Sequence, residues 1–221
     1  MAQSQYVIGK EPEFIASAAK IIKAQVNDFK YHAPGDRIEH VSIFGLAPIP
    51  LLILLGKQLG NTMPADIFHH HHDKDNWSWK TRGRQITFEQ KRVRQGSDPA
   101  CVAVLLNVSG TIPLSTLPTE IGEHFSVYQI APREVGPSTN CIRTHEHLES
   151  FKAAYEEFLR DLRRTYDRVD AIHVFPAVPP PVAIACGREL MPKVDPVLRV
   201  YDFDKTQGGF QFALEVNGND D

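Results

Sequence analysis

The chain contains one segment twice, and this repetition limits the folds that it can adopt. Residues 43–59 and 174–190 align without a gap, at a constant offset of 131 positions. Both copies carry a phenylalanine, two prolines and a glycine at matched places, including Gly56 and Gly187. Each copy reads as an apolar strand, a proline-rich turn and a helix, so each predicts a β–α–β unit with parallel strands and a right-handed connection. We therefore expect a ligand to bind between two related halves.

The same offset, continued past the two helices, brings charged and aromatic residues into correspondence. It pairs Asp73 with Asp204, Lys74 with Lys205, Trp77 with Gly208, and Trp79 with Phe210. A lysine supplies charge for a phosphate, and an aromatic ring supplies a stacking surface for a base. We predict Lys74, Lys205 and Trp77 as ligand contacts, whereas Trp79 and Phe210 fit an interior position equally well.

The remaining segments complete an α/β fold. Apolar periodicity predicts helices over 12–29 and 144–166, and alternation predicts a pair of strands within 77–94. A Ser-Asp-Pro turn follows, so we place a boundary there, with a first half at 1–96 and a second at 97–221. Only eleven residues precede the first helix, which predicts a reduced first half or an upstream domain in a longer protein.

Composition excludes several classes of protein. With 42% apolar and 23% charged residues the chain is globular, and its longest apolar run, 41–55, contains two prolines and is shorter than the roughly 20 residues that cross a bilayer. The first residues lack signal-peptide features, which predicts a cytoplasmic protein with no membrane association. A net charge of −3 gives no general attraction to nucleic acid. Three cysteines without metal-site spacing predict buried thiols and no metal site.

Ligands of open α/β sheets bind beyond the carboxyl ends of parallel strands, where helix N-termini also offer unpaired N–H groups to phosphates. The strand-to-helix turns therefore supply most of the predicted ligand contacts. These contacts are Leu46, Ala47, Pro48, Gly110, Thr111, Ser138, Thr139, Pro176, Ala177 and Val178. Neither GxGxxG nor GxxxxGK[ST] occurs, so no nucleotide cofactor is predicted.

The second copy also carries a family likeness. Its strand has the pattern His-x-Phe-x-Ala-x-Pro from His173, its helix ends in Gly187-Arg188, and a Val-Tyr-Asp strand follows at 200–202. These residues resemble the SAVED family. The resemblance implies two fused CARF-like, Rossmann-like halves that together sense a cyclic oligonucleotide messenger in bacterial antiphage (CBASS) systems. It also implies ligand-driven self-association and an attached effector, such as an HNH nuclease, a TIR domain or a protease. The unequal halves favour an asymmetric ligand, such as cyclic GMP-AMP or a mixed trinucleotide.

Two other functions remain open from the sequence. An enzyme that cleaves nucleotides, resembling a ring nuclease, would need a base near a phosphate, and only His173, the histidines at 69–72 and Thr111 are candidates. No GxSxG or HExxH pattern supports them, so we predict no catalytic residue. A nucleic-acid-binding module would use the basic segment 80–94, which also fits a solvated surface.

Overall fold

The computed structural model describes residues 12–31, 38–70, 76–166 and 168–218. Its elements in chain order are α1 (Pro12–Tyr31), β1 (Val41–Phe44), α2 (Ile49–Leu59), β2 (Ala65–Phe68), β3 (Phe88–Arg94), β4 (Cys101–Asn107), a 3₁₀ turn (Leu114–Thr116), β5 (Ser126–Pro132), α3 (His145–Thr165), β6 (Ala171–Ala177), α4 (Pro180–Arg188), β7 (Val197–Asp204) and β8 (Gly209–Val216). The helices predicted over 12–29 and 144–166 are confirmed to within two residues at each end. Within the described ranges, no helix combines the length and apolar character needed to cross a membrane.

The strands form two sheets, one of β1 and β2 and one of six strands in the order β3-β5-β4-β6-β7-β8. β5, β4, β6 and β7 are parallel, while β3 and β8 are antiparallel edge strands. β1–α2–β2 and β6–α4–β7 are both β–α–β units with parallel strands, as the repeat predicts. We call the side where the parallel strands of both sheets end the carboxyl edge, because ligands of open α/β sheets bind there.

Helices α2 and α4 cross at a pair of glycines. A Cβ atom at Gly56 would lie 2.0 Å from the carbonyl oxygen of Ile184, and one at Gly187 would lie 1.9 Å from the carbonyl oxygen of Ile53. Only a residue without Cβ allows two helix backbones to approach this closely. The contact is reciprocal, since Ile53 and Ile184 also match in the sequence repeat.

The large sheet is covered on both faces. Apolar residues of one face, such as Val104 and Val174, pack with α3 and α4 in the main core. On the other face, Phe175 and its neighbours pack under residues 108–125, which connect β4 to β5. Both faces of this sheet are therefore shielded, and its ligand-accessible side is an edge.

The predicted pair of strands within 77–94 is wrong. Only β3 forms there, and it pairs with β5 rather than with residues 77–87. That segment is attached elsewhere, because the indole N–H of Trp79 donates to the carbonyl of Ile67 at 2.9 Å and the amide of Lys80 donates to Arg143 at 3.0 Å. β3 lies before the predicted boundary at 96/97 but belongs to the six-stranded sheet, and the division into two halves there stays a prediction.

Candidate functional site

Three turns of the large sheet meet at the carboxyl edge. The carbonyl of Ala177 accepts hydrogen bonds from the amides of Val108 (3.1 Å) and Ser109 (2.7 Å), and the amide of Ser138 donates to the carbonyl of Val108 at 2.9 Å. These bonds join the ends of β4 and β6 to the loop after β5. The structure thus brings together six of the predicted contacts, which are Gly110, Thr111, Ser138, Thr139, Ala177 and Val178.

A buried asparagine holds one of these turns in place. Asn107 ends β4 and is 2% exposed, its side-chain oxygen accepts from the amide of Ile112 at 3.1 Å, and its amide group donates to Gln129 at 3.3 Å. The sequence analysis missed this residue. A polar side chain closing an otherwise apolar strand is the signal that would have revealed it, since buried polar groups require partners.

The turn of the first unit lies against the helix of the second. A Cβ atom at Gly45 would lie 2.8 Å from Cδ1 of Ile184 in α4. Leu46 and Ala47 are exposed, and half-buried Pro48 precedes α2. The first-unit turn therefore adjoins α4, the helix that begins two residues after Val178.

The turns retain backbone donors that the fold does not use. In the described part of the chain, no acceptor is present for the N–H groups of Leu46, Ala47, Ile49, Gly110, Thr111, Thr139 and Val178. Helix N-termini were expected to offer N–H groups to phosphates, but the start of α4 does not, because Pro179, Pro180 and Pro181 have no N–H to donate. Donors for a phosphate are therefore supplied by the turns rather than by the first turn of α4.

The other predicted contacts differ in accessibility. Pro176 is buried in β6 opposite Leu106, so it shapes the strand end rather than exposing a surface. Lys205 is exposed in the β7–β8 hairpin, where Asp204 accepts two 2.7 Å bonds from the backbone and hydroxyl of Thr206. Lys74 lies outside the described residues, as do the histidines at 71 and 72.

Four rings form a cluster at the carboxyl edge of the small sheet. Phe44 and Phe68, the last residues of β1 and β2, stack with centroids 4.6 Å apart. Trp77 contacts Phe44 edge-on at 5.4 Å and lies 4.9 Å from His70. We call these four residues the open aromatic cluster, because Phe44 is 53% exposed. Sequence reasoning identified Trp77 but not its ring partners.

The second unit contains the same arrangement of rings. Phe175 stacks with Tyr201 at 4.5 Å and contacts Phe210 edge-on at 5.3 Å, while Phe203 lies 5.3 Å from Phe210. We call these four residues the covered aromatic cluster, because Phe175 and Tyr201 are almost completely buried. Both units therefore place a stacked pair and an edge-on ring at the ends of their strands.

This geometry corrects the pairing of the two copies beyond their helices. In the first unit residue 44 pairs with residue 68, whereas in the second residue 174 pairs with residue 200, so the second connection is two residues longer. The longer connection turns around Asp195, which accepts from the amide of Met191 at 2.7 Å. Trp77 consequently corresponds to Phe210, and its predicted match with Gly208 is wrong.

His173, a candidate base for a nucleotide-cleaving enzyme, lies in the interior. Its Nδ1 is 2.9 Å from the hydroxyl of Tyr201, and its ring contacts Phe125 at 4.9 Å. Burial, followed by the nearby Arg199 guanidinium, lowers the pKa of His173 to about 4. The imidazole is therefore neutral at physiological pH and is enclosed in the core.

Acid destabilisation should depend partly on His173. Its pKa of about 4 in the folded protein lies below the ordinary value of 6.5, so the unfolded chain binds this proton more tightly. The contribution of neutral His173 to stability is complete above pH 6.5 and falls as the pH decreases towards 4. Urea midpoints measured across this range should decline less steeply for His173→Gln than for the wild type. Equal slopes would contradict this assignment.

The histidine run and the basic segment contact neighbouring parts of the fold. His69 packs against Trp79 and His70 against Trp77, so neighbouring histidines face different surroundings. Among the described residues, no three His, Cys, Asp or Glu side chains lie together as metal ligands. In the basic segment, Arg94 donates to the carbonyls of Ile121, Gly122 and Phe125. Exposed lysine and arginine on the edge strand β3 also discourage pairing with other sheets.

A cavity of about 1130 Å³ lies at the opposite end of the molecule. Its lining mixes lysines with acids, including Lys57, Asp170 and Glu215, and α2 ends beside it. The carboxyl ends of helices carry partial negative charge. At this cavity the lysine charges are therefore partly offset by nearby acids and by the carboxyl end of a helix.

Comparison with known proteins identifies a family and a fold. The family model for SAVED, described as the "SMODS-associated and fused to various effectors sensor domain", matches residues 22–216. No curated protein matches the chain in sequence. Several solved structures of Cap4 SAVED/CARF-domain containing receptors share its fold.

An Acinetobacter baumannii Cap4 receptor with the cyclic trinucleotide 2′3′3′-cAAA aligns with a TM-score of 0.67 at 16% identity, covering 94% of this chain and 44% of the receptor. The same receptor with 3′3′3′-cAAA gives 0.62 at 16% identity, covering 91% and 42%. A Moraxella osloensis Cap4 receptor gives 0.57 at 19% identity, covering 96% and 43%. The chain thus spans less than half of the length of these receptors and has their CARF-like α/β fold.

Proposed function

This chain belongs to the SAVED family of sensor domains, and we propose that it binds a cyclic oligonucleotide second messenger at the carboxyl edge, on the turns that follow the parallel strands. This ligand class is supported by the family and by a Cap4 receptor of the same fold, which was solved with two different cyclic trinucleotides. A cyclic trinucleotide is the first candidate, and cyclic GMP-AMP the second.

The observation that carries the proposal is the convergence of turns with unused N–H groups. The turns after β1, β4, β5 and β6 adjoin one another at this edge, and seven of their backbone N–H groups have no acceptor among the described residues. Such groups bind anions without a side-chain charge. A ring of alternating phosphates and riboses, with a base attached to each ribose, fits a surface that combines these donors with the open aromatic cluster.

The proposed activity is recognition without catalysis. His173 is buried, with its Nδ1 2.9 Å from the hydroxyl of Tyr201, so it is poorly placed to act as a base on a phosphate bound at the carboxyl edge. A messenger then acts only through its different affinity for two states of the receptor. We place the chain as the sensor module of an antiphage system, in which ligand-driven self-association activates an attached effector.

The reciprocal glycine contact and the duplicated ring arrangement support the proposal that the chain contains two related CARF-like halves. Both are expected if two CARF-like halves arose by duplication, since related halves meet through equivalent surfaces.

Thermal-shift measurements with cyclic di-, tri- and tetranucleotides test this function, because a ligand that binds only the folded state raises the melting temperature. At a concentration 100 times its Kd, the correct ligand stabilises the protein by about 2.7 kcal/mol. Chromatography of the same samples should recover the ligand intact. A panel that leaves the melting temperature unchanged contradicts the sensor function, and a cleaved product contradicts recognition without catalysis.

A further inference from the structure

The two aromatic clusters have the same internal geometry but different surroundings. In the second unit, Ile112, Ile121 and Phe125 of the β4–β5 connection cover the rings, and Phe210 is 4% exposed. In the first unit, no described segment takes that place over Phe44. The first unit therefore presents an aromatic surface whose counterpart is filled by the protein's own side chains.

We propose that the open aromatic cluster stacks one nucleobase of the messenger, through Phe44 and Trp77, and that the covered cluster stacks none. This inference rests on the proposed function and makes it more specific. The two units then hold chemically different parts of the ligand, one a base on rings and the other mainly the phosphate–sugar backbone on turn amides.

The position of the rings favours a base over a protein segment. Phe44 and Phe68 end two parallel strands at the carboxyl edge, and Phe44 directly precedes the turn with the unused N–H groups of Leu46 and Ala47. A stacking surface and anion donors are thus neighbours in the chain. The covered aromatic cluster packs against aliphatic side chains, including Ile112 and Ile121. A nucleobase, in contrast, presents a flat π face that stacks on aromatic rings, and the open aromatic cluster offers such rings.

The arrangement also predicts that the three bases of a cyclic trinucleotide contribute unequally to its binding affinity. Only one base of a cyclic trinucleotide should contact the rings, so replacing that base by an abasic sugar should weaken binding strongly. Replacing either of the other two bases in the same way should weaken binding less, because neither stacks on the rings.

The test compares ring variants with a matched control. Phe44→Leu keeps an apolar side chain and removes the aromatic face, Phe44→Tyr keeps the face, and Tyr31→Leu changes an exposed aromatic residue at the end of α1. Titration calorimetry with 2′3′3′-cAAA, or with the panel member that gives the largest thermal shift, should show affinity about tenfold weaker for Phe44→Leu. Phe44→Tyr and Tyr31→Leu should bind as the wild type does.

A second readout reports the stacking itself. The chain has two tryptophans, so in a Trp79→Phe background the emission comes from Trp77 alone. Saturating ligand should quench this emission in Trp79→Phe, and should quench it much less when Phe44→Leu is added. Because Phe44 is exposed, adding Phe44→Leu should leave the melting temperature without ligand close to that of its parent, whether the parent is the wild type or Trp79→Phe, and this establishes that the variants fold.

The outcomes separate this inference from the proposed function. If the wild type binds no cyclic oligonucleotide, the sensor function fails. If it binds, and Phe44→Leu retains full affinity with unchanged Trp77 emission, the stacking inference is overturned and the function stands. If Phe44→Leu alters only the oligomeric state measured by light scattering, the open aromatic cluster is a protein contact and the inference is likewise overturned.

Discussion

Replacing Gly187 by alanine should strongly destabilise the fold. Its Cβ would lie 1.9 Å from the carbonyl oxygen of Ile53 and 2.6 Å from the amide nitrogen of Lys57, both backbone atoms that cannot rotate away. Overpacking commonly costs about 1–3 kcal/mol, and the upper end or more applies when a helix must move. We expect a melting temperature lower by roughly 6–12 °C for a chain of this size.

The matched variants of this experiment are Gly56→Ala and Gly136→Ala. Gly56 makes the reciprocal contact, since an added Cβ would lie 2.0 Å from the carbonyl oxygen of Ile184. Gly56→Ala should therefore lower the melting temperature by a similar amount. Gly136 has open space around its Cβ position and should tolerate alanine. Melting of Gly187→Ala within 2 °C of the wild type would show that α2 and α4 do not cross as described.

Placing carboxylates in the turns should abolish most ligand binding without unfolding the protein. Leu46 is 74% exposed and Thr111 is exposed, so aspartate at either position buries no charge. A carboxylate a few ångströms from a phosphate costs about 1.4 kcal/mol or more near a protein surface, which is tenfold in affinity. The double variant Leu46→Asp/Thr111→Asp should therefore bind at least about 100-fold more weakly in calorimetry.

The control for this effect adds the same charge at the other end of the molecule. Tyr31 and Val194 are both exposed there, and Tyr31→Asp/Val194→Asp should retain most of the wild-type affinity. The loss in the turn variant should also shrink as salt is raised, since exposed charges are screened. Equal losses in the two double variants would mean that net charge, rather than the turns, determines binding.

Local patterns were sufficient to predict the helices and both β–α–β units. The stripe of α3 and the proline-led starts of α2 and α4 are encoded within single segments. The partner of β3 was not predictable in the same way. Its pairing with β5 joins residues about 40 positions apart in the chain, and it depends on which outer strand of the large sheet is left unpaired.

The candidate site was predictable in outline only. The turns follow from the rule that ligands bind beyond the carboxyl ends of parallel strands, and the structure joins most of them. The repeat does not reveal that Phe44 is exposed and Phe175 is buried, because this difference in burial depends on a distant segment that covers Phe175 and not Phe44. The correct partner of Trp77 was hidden by two extra residues before β7, which only the strand register reveals.

Amide hydrogen exchange, measured by mass spectrometry with and without saturating cyclic trinucleotide, tests the central claim most directly. Turn amides without acceptors exchange rapidly and become protected when they bind a ligand's oxygens. The account predicts new protection in peptides that contain Leu46–Ala47, Gly110–Thr111, Thr139 and Val178, and little change around the cavity beside Lys57 and Glu215. Protection at that cavity instead, or none in the turns while the ligand is bound, would contradict it.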